Sequence, residues 1–204
     1  MKITTLIENT TRSPELTAEH GLSLFVETEG ARFLFDAGQS GAFADNAGKL
    51  GVDLRSADFA VLSHGHYDHG GGLPTFLARN NAAPVYLSRY AFGCYFNGAN
   101  KYIGLDPTLQ GHPRLILTHG ETDLGDGLTL HADTPLPTIC DLGTFGLTAE
   151  MNGTRIPDPF RHEQYLLVRE GDRRILFSGC SHRGILNIVD RFRPDILIGG
   201  FHVS

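Results

Sequence analysis

The stretch Ser63-His64-Gly65-His66-Tyr67-Asp68-His69 places three imidazoles and one carboxylate within six residues, and Gly70-Gly71-Gly72 follows at once. Imidazole nitrogen and carboxylate oxygen are natural ligands of zinc, and they also suit iron and manganese. Histidines at i and i+2, followed by an adjacent Asp-His pair, cannot all bind one ion comfortably. The spacing suits two neighbouring divalent metal ions, with His64 and His66 facing one and Asp68 and His69 the other. Zinc is the first expectation, with iron and manganese as alternatives. The plainer reading is a chance cluster of polar residues in a turn.

The cluster follows Phe59-Ala60-Val61-Leu62, an apolar run of strand length. Its ligands are therefore expected at a strand end, where a rigid sheet can hold a loop toward a shared point. Three later positions repeat this placement. His162 precedes the apolar run 164–168, Cys180 and His182 follow 174–177, and His202 follows 195–198. Alone, each histidine reads equally well as a surface or capping residue. Together they favour a common site. A thiolate at Cys180 would be a good zinc ligand, the alternative being a small buried residue. Asp36 ends the run 32–35. It either accepts a hydrogen bond from a metal-bound histidine or simply forms a turn. His20, His112, His119 and His131 read as structural or solvent-facing.

The elements that must carry these residues are mostly strands. Runs 3–7, 22–27 and 32–35 open the chain, the last two joined as a hairpin through Thr28-Glu29-Gly30. Phe43, Ala47 and Leu50 stand at helical spacing, with Gly51 as a stop, so 42–50 is predicted helical. Strand 59–62 feeds the histidine loop, a short helix covers 73–78, and 84–87 is a strand. Residues 92–112 show no period and read as a functional loop or lid. Strands are expected at 114–117 and 127–130. Residues 132–160, rich in Pro, Gly and Thr, are expected to cover one edge of the site. A second hairpin joins 164–168 to 174–177, a helix spans 184–191, and strand 195–198 leads to Gly199-Gly200-Phe201-His202. Each half thus runs through strands, a helix and a strand to a His-bearing strand end. That pattern implies an α/β fold of two packed sheets with helices outside.

The 204 residues suit one domain over 1–204. A net charge of −6 argues against a nucleic-acid surface. It leaves room for an anionic small-molecule substrate, because bound divalent metals would invert the local field. Three cysteines, an odd number set far apart, argue against a disulfide scaffold and for a reducing, cytoplasmic setting. No apolar stretch approaches membrane-spanning length, and residues 1–6 read as a strand with no signal-peptide core.

The segment from Ser63 to Gly71 resembles the His-x-His-x-Asp-His signature of the metallo-β-lactamase superfamily, and Leu34-Phe35-Asp36-Ala37-Gly38 resembles its earlier strand-Asp-Gly motif. Ile175-Leu176-Phe177-Ser178-Gly179-Cys180-Ser181-His182-Arg183-Gly184-Ile185 and Gly199-Gly200-Phe201-His202 are similar to a prokaryotic subgroup. That subgroup is labelled 7,8-dihydropterin-6-methyl-4-(β-D-ribofuranosyl)aminobenzene-5′-phosphate synthase, or metal-dependent hydrolase. The resemblance implies an αββα sandwich. It also implies that His64, His66 and a later histidine, matched to His162, hold the first metal. Asp68, His69 and a final strand-end histidine, matched to His202, hold the second. The bridging position, commonly Asp, falls on Cys180 here, with His182 as the alternative. The chain ends two residues after His202, whereas subgroup members usually continue, so a short or truncated member is expected.

The chemistry this implies is hydrolysis by a metal-activated hydroxide, which zinc makes available near pH ~7. Asp68 would bind metal and orient the attacking water. His182 or another rim histidine would protonate the leaving group. Arg89, Tyr90 and Lys101 are candidate contacts for an anionic substrate, ordinary surface packing being the plainer reading. A phosphate ester or another small anionic ester is expected rather than a β-lactam. The alternatives are synthase chemistry of the subgroup's kind and a metal-binding sensor without turnover.

Overall fold

Alternation along the strands sorts the apolar side chains into layers. The computed structural model describes residues 1–202. Its first half contains β1 (Lys2–Ile7), β2 (Ser23–Glu27), β3 (Arg32–Phe35), α1 (Ala42–Lys49), β4 (Phe59–Val61), α2 (Tyr67–Gly70), α3 (Leu73–Arg79), β5 (Val85–Ser88), β6 (Cys94–Asn97), β7 (Lys101–Tyr102) and β8 (Leu115–Thr118). The second contains β9 (Gly120–Gly125), β10 (Leu128–Ala132), β11 (Leu147–Met151), β12 (Thr154–Pro157), β13 (Gln164–Glu170), β14 (Arg173–Ser178), α4 (Ile185–Phe192) and β15 (Ile196–Gly199).

One sheet has the order β1-β2-β3-β4-β5-β8 and the other β15-β14-β13-β10-β9. In β3, Phe33 and Phe35 share a core with Leu128, Leu166 and Phe177 of the second sheet. Leu34, between them, points the other way and packs with Phe43 of α1 and Phe76 of α3. Across the molecule, Tyr165, Leu167 and Leu176 turn from the second sheet toward Ile188 and Phe192 of α4. Period-two alternation on central strands therefore builds helix, sheet, sheet and helix in that order. Phe33, Phe35 and Phe177 are wholly buried, each contributing about 2 kcal/mol relative to exposure. This rigid sandwich fixes the ends of β3, β4, β13, β14 and β15, where the candidate ligands lie.

The structure corrects the reading of residues 92–112 as a loop or lid. Residues 92–112 and 132–160 supply β6, β7, β11 and β12, which form a third sheet of order β12-β11-β6-β7. It has its own small core of Tyr95, Ile103, Leu147, Ala149 and Phe160. The turn between β11 and β12 is Asn152-Gly153, both at positive φ (52° and 74°), a pairing favoured in tight hairpins. Strand β9 was also not anticipated. It is a half-exposed edge whose Glu121 and Asp123 alternate with Thr122 and Leu124. Among the described residues, no helix is long and apolar enough to cross a membrane.

Candidate metal centre

β4 delivers the chain to Ser63 and His64, and the loop that follows is gripped from two sides. A Cβ on Gly72 would lie 2.1 Å from the Ala37 carbonyl oxygen, and one on Gly179 would lie 2.0 Å from Ser63 Oγ. Only glycine lets the turn after β3 and the turn after β14 close this tightly on the loop.

Asp36, buried and at φ 58°, sits beneath the loop. Its Oδ1 accepts the Ser63 N–H at 2.7 Å, and its Oδ2 accepts the Ser63 hydroxyl at 2.7 Å. Oδ2 also lies 2.6 Å from His69 Nδ1. Ser63 Oγ is in turn 2.8 Å from His64 Nδ1. The Ser63 hydroxyl has one hydrogen. If it goes to Asp36, His64 must donate its Nδ1–H to Ser63 Oγ, and its Nε2 keeps a lone pair. The same logic gives His69 an Nδ1–H, leaving Nε2 to face Cys180 Sγ at 3.1 Å. One carboxylate thereby selects the tautomer of two imidazoles.

The lone pair so placed on His64 has no partner within the protein, and two other imidazoles share that condition. His64 Nε2, His66 Nε2 and both ring nitrogens of His182 are buried without a hydrogen-bond partner. Potential ligand atoms of His64, His66 and His182 lie within 4.8 Å of one another, and so do those of His64, His69 and Cys180, and of Cys180, His182 and His202. The three triads overlap into one continuous constellation. Phe160 stacks on His182 with ring centroids 4.7 Å apart.

Burial, followed by the charges of neighbouring histidines, holds His64, His66 and His182 well below the ordinary imidazole range. Neutral rings of this kind are ready lone-pair donors. Burial also pushes the Cys180 thiol up, with His69 opposing. His69 differs: burial would lower it, but Cys180 and Asp36 outweigh burial and raise it well above the usual value. Burial lowers His202, with Asp68 pulling the other way.

The structure thus brings His64, His66, His69, Cys180, His182 and His202 together. Asp68 lies at the cavity wall and outside those triads, its Oδ2 3.8 Å from His69 Nε2 and 3.4 Å from His20 Nε2. His162 lies against the same cluster, grouping with His66 and Asp158, and His182 also stands beside His64 and His66. Arg89 and Tyr90 lie apart from it. Their side chains bond to each other, and Arg89 pairs with Asp133, which Arg161 also holds. Neither lines the cavities over the histidines. Lys101 does, together with Asn97 and Tyr67, and its Nζ lies 3.4 Å from Tyr67 Oη. The larger cavity, about 390 Å³, is lined by Glu8, Asn9, His20, Asp68, Cys180 and His202 among others. No motif surrounds His20 in the sequence, and nothing near Asp158 marks it as the partner of His162.

The family model of the metallo-beta-lactamase superfamily matches residues 16–145. Two proteins of Methanocaldococcus jannaschii are similar. An uncharacterized protein is 29% identical over 208 aligned positions, spanning 97% of this chain and 78% of its own length. The 7,8-dihydropterin-6-methyl-4-(beta-D-ribofuranosyl)-aminobenzene-5'-phosphate synthase is 29% identical over 215, spanning 91% and 71%. The crystal structure of Tm1679, described as a metal-dependent hydrolase of the beta-lactamase superfamily, superposes with a TM-score of 0.80 at 32% identity, covering 98% of this chain and 76% of that one. A quorum-quenching N-acyl homoserine lactone lactonase shares the fold, with a TM-score of 0.54 at 14% identity over 88% of this chain and 78% of that one.

Proposed function

This chain belongs to the metallo-beta-lactamase superfamily, and from that premise we propose that it is a metal-dependent hydrolase of a phosphate ester or another small anionic ester. The observation that carries this reading is the set of unpartnered, buried imidazole nitrogens at His64, His66 and His182. A buried polar atom left unpaired costs about 1–3 kcal/mol. Three side chains converging on one point with that cost fit a bound cation and little else.

His64, His66 and His182 would hold one divalent ion. Cys180 would hold a second with His69 and His202, and Asp68 lies beside them. Zinc suits this nitrogen and sulfur set, with iron and manganese as alternatives. When bound, such ions supply Lewis acidity and an ionised water near neutral pH. The chain's own groups do the rest. Asp36 and Ser63 keep the ligand rings in the competent tautomer. Asp68 accepts a hydrogen bond from the attacking water and aims it. Burial keeps His182 neutral, so we assign it to the ligands, and the proton-donor role expected for it passes to another group at the rim. Lys101, over Tyr67 and beside Asn97, meets the anionic group of the substrate. Sparse cysteines favour a cytoplasmic setting.

A second reading is synthase chemistry on a pterin or ribosyl-aminobenzene phosphate, favoured by the relative that carries that name. Purified protein loaded with zinc or manganese should be assayed against phosphomonoesters, phosphodiesters, carboxylic esters and a pterin precursor. Metal-dependent turnover of an anionic ester, abolished in His66→Ala, is expected. Reaction with the pterin precursor alone would support the synthase. A fully loaded protein that turns over nothing would be a sensor, and the proposal would fall.

A further inference from the structure

His162, Glu163 and Gln164 form a tripeptide at the start of β13, and all three are buried. Each reaches a different part of the histidine constellation. Gly65, between His64 and His66, donates its N–H to His162 Nδ1 at 3.0 Å. The amide of His182 donates to Glu163 Oε1 at 2.8 Å, and that of Arg183 to Glu163 Oε2 at 3.2 Å. Gln164 donates its backbone N–H to the Ser63 carbonyl at 2.8 Å and its side-chain amide to the Leu62 carbonyl at 2.8 Å. The first loop hangs from β4 in one sheet, and the His182 loop follows β14 in the other. The tripeptide is bonded to both.

We infer that His162-Glu163-Gln164 is a clasp that sets the spacing between the His64-Gly65-His66 loop and the His182 loop, with His162 as a positioning residue rather than a metal ligand. Ring chemistry carries the second half of this inference. His162 Nδ1 accepts an amide hydrogen, so its own proton sits on Nε2, which donates to Asp158 Oδ2 at 3.2 Å. Asp158 is fixed in turn, its Oδ1 accepting the Phe160 N–H at 2.7 Å. Both nitrogens of His162 are therefore in use. This contrasts with His64, His66 and His182, each of which leaves at least one buried ring nitrogen without a partner. A metal on His162 would have to break either the Gly65 bond to Nδ1, which keeps His64 and His66 in register, or the Asp158 bond to Nε2. A clasp of this kind matters most here because the two loops share no strand pairing of their own. The inference rests on the metal-site reading above, but it can be judged separately from it.

Two isosteric substitutions separate the roles. In His162→Asn the amide oxygen falls near the former Nδ1 and can still accept from Gly65. In His162→Gln the amide nitrogen falls near the former Nε2, keeps the Asp158 contact and leaves Gly65 unpaired. Each variant and the wild type would be titrated with cobalt(II) alone, following stoichiometry, affinity and the visible ligand-field bands. Exchange of the Gly65 amide would be followed in parallel without metal, with thermal melts to confirm folding. His162→Asn is expected to keep wild-type stoichiometry, bands and Gly65 protection. His162→Gln is expected to keep stoichiometry and bands, lose Gly65 protection and bind ~10-fold more weakly, the size typical of a lost outer contact. If the His162 variants fail to fold, Glu163→Gln provides the second route. It should weaken cobalt binding at unchanged stoichiometry while leaving Gly65 protected.

Loss of one cobalt equivalent, or shifted bands, in both folded His162 variants would make His162 a ligand and overturn the inference. So would an unprotected Gly65 amide in the wild type, or wild-type affinity in both His162→Gln and Glu163→Gln. A wild type that takes up no cobalt would instead overturn the proposed function, and Gly65 exchange would still decide on the clasp.

Discussion

Replacing Asp36 with Asn should weaken metal binding by roughly 100-fold while leaving the fold in place. The substitution is isosteric, and residue 36 has φ 58°, a left-handed conformation that Asn tolerates about as well as Asp. The Asn oxygen can still accept from the Ser63 N–H. The other terminal atom becomes an N–H₂ group that faces Ser63 Oγ and His69 Nδ1, which lie at 2.7 and 2.6 Å from Asp36 Oδ2. Both bonds must then reverse. Ser63 accepts from the amide and passes its own hydrogen to His64 Nδ1, while His69 Nδ1 becomes an acceptor. Each ring proton moves to Nε2, and the lone pair aimed at the constellation disappears. Recovering it would force a donor to face a donor at His69 and would strand the Ser63 hydroxyl hydrogen at His64, at about 1.5 kcal/mol per ring. Two rings make about 3 kcal/mol, or roughly 100-fold in affinity. Ser63→Ala breaks only the His64 arm and should cost roughly 10-fold. Zinc affinity measured against a competing chelator reads both effects. An Asp36→Asn protein that is folded and binds zinc within a few-fold of wild type would refute the tautomer argument.

Metal affinity should rise with pH. Burial raises the Cys180 thiol, so it carries a proton that a metal must displace. The neutral His64, His66 and His182 carry none, and Cys180→Ser should flatten the dependence in zinc titrations between about pH 6 and about pH 8.5. Gly179→Ala should lower the melting temperature, because its Cβ would stand 2.0 Å from Ser63 Oγ. Overpacking of this kind costs about 1–3 kcal/mol, readable by denaturant titration. Lys101→Ala should raise KM for an anionic ester and leave kcat nearly unchanged, as loss of uniform binding does. A fall in kcat at unchanged KM would place Lys101 in the chemistry instead.

The layered fold was legible because its signals are local. Alternation in Arg32-Phe33-Leu34-Phe35 names two opposite faces, and those faces meet different cores in the structure. The third sheet was not legible because its central pairing joins β6 to β11, which lie far apart in the chain. Each of its strands is short, and none shows a period on its own. The Asn152-Gly153 turn was a usable hairpin signal, but the surrounding prolines and glycines masked it.

The site divides along the same line. His64, His66 and His69 are placed by a few consecutive residues, so their spacing carries their role. His162 and His182 both stand at the ends of neighbouring strands, and chain position treats them alike. What separates them is the partner of each ring nitrogen. The Gly65 amide and Asp158 saturate His162, whereas both nitrogens of His182 stay unpaired. Those partners come from another sheet and from the approach to β13, and strand-end spacing does not record them. Motif spacing in such a fold therefore nominates ligands, and the hydrogen-bond inventory of each ring separates a lone-pair donor from the residue that holds it.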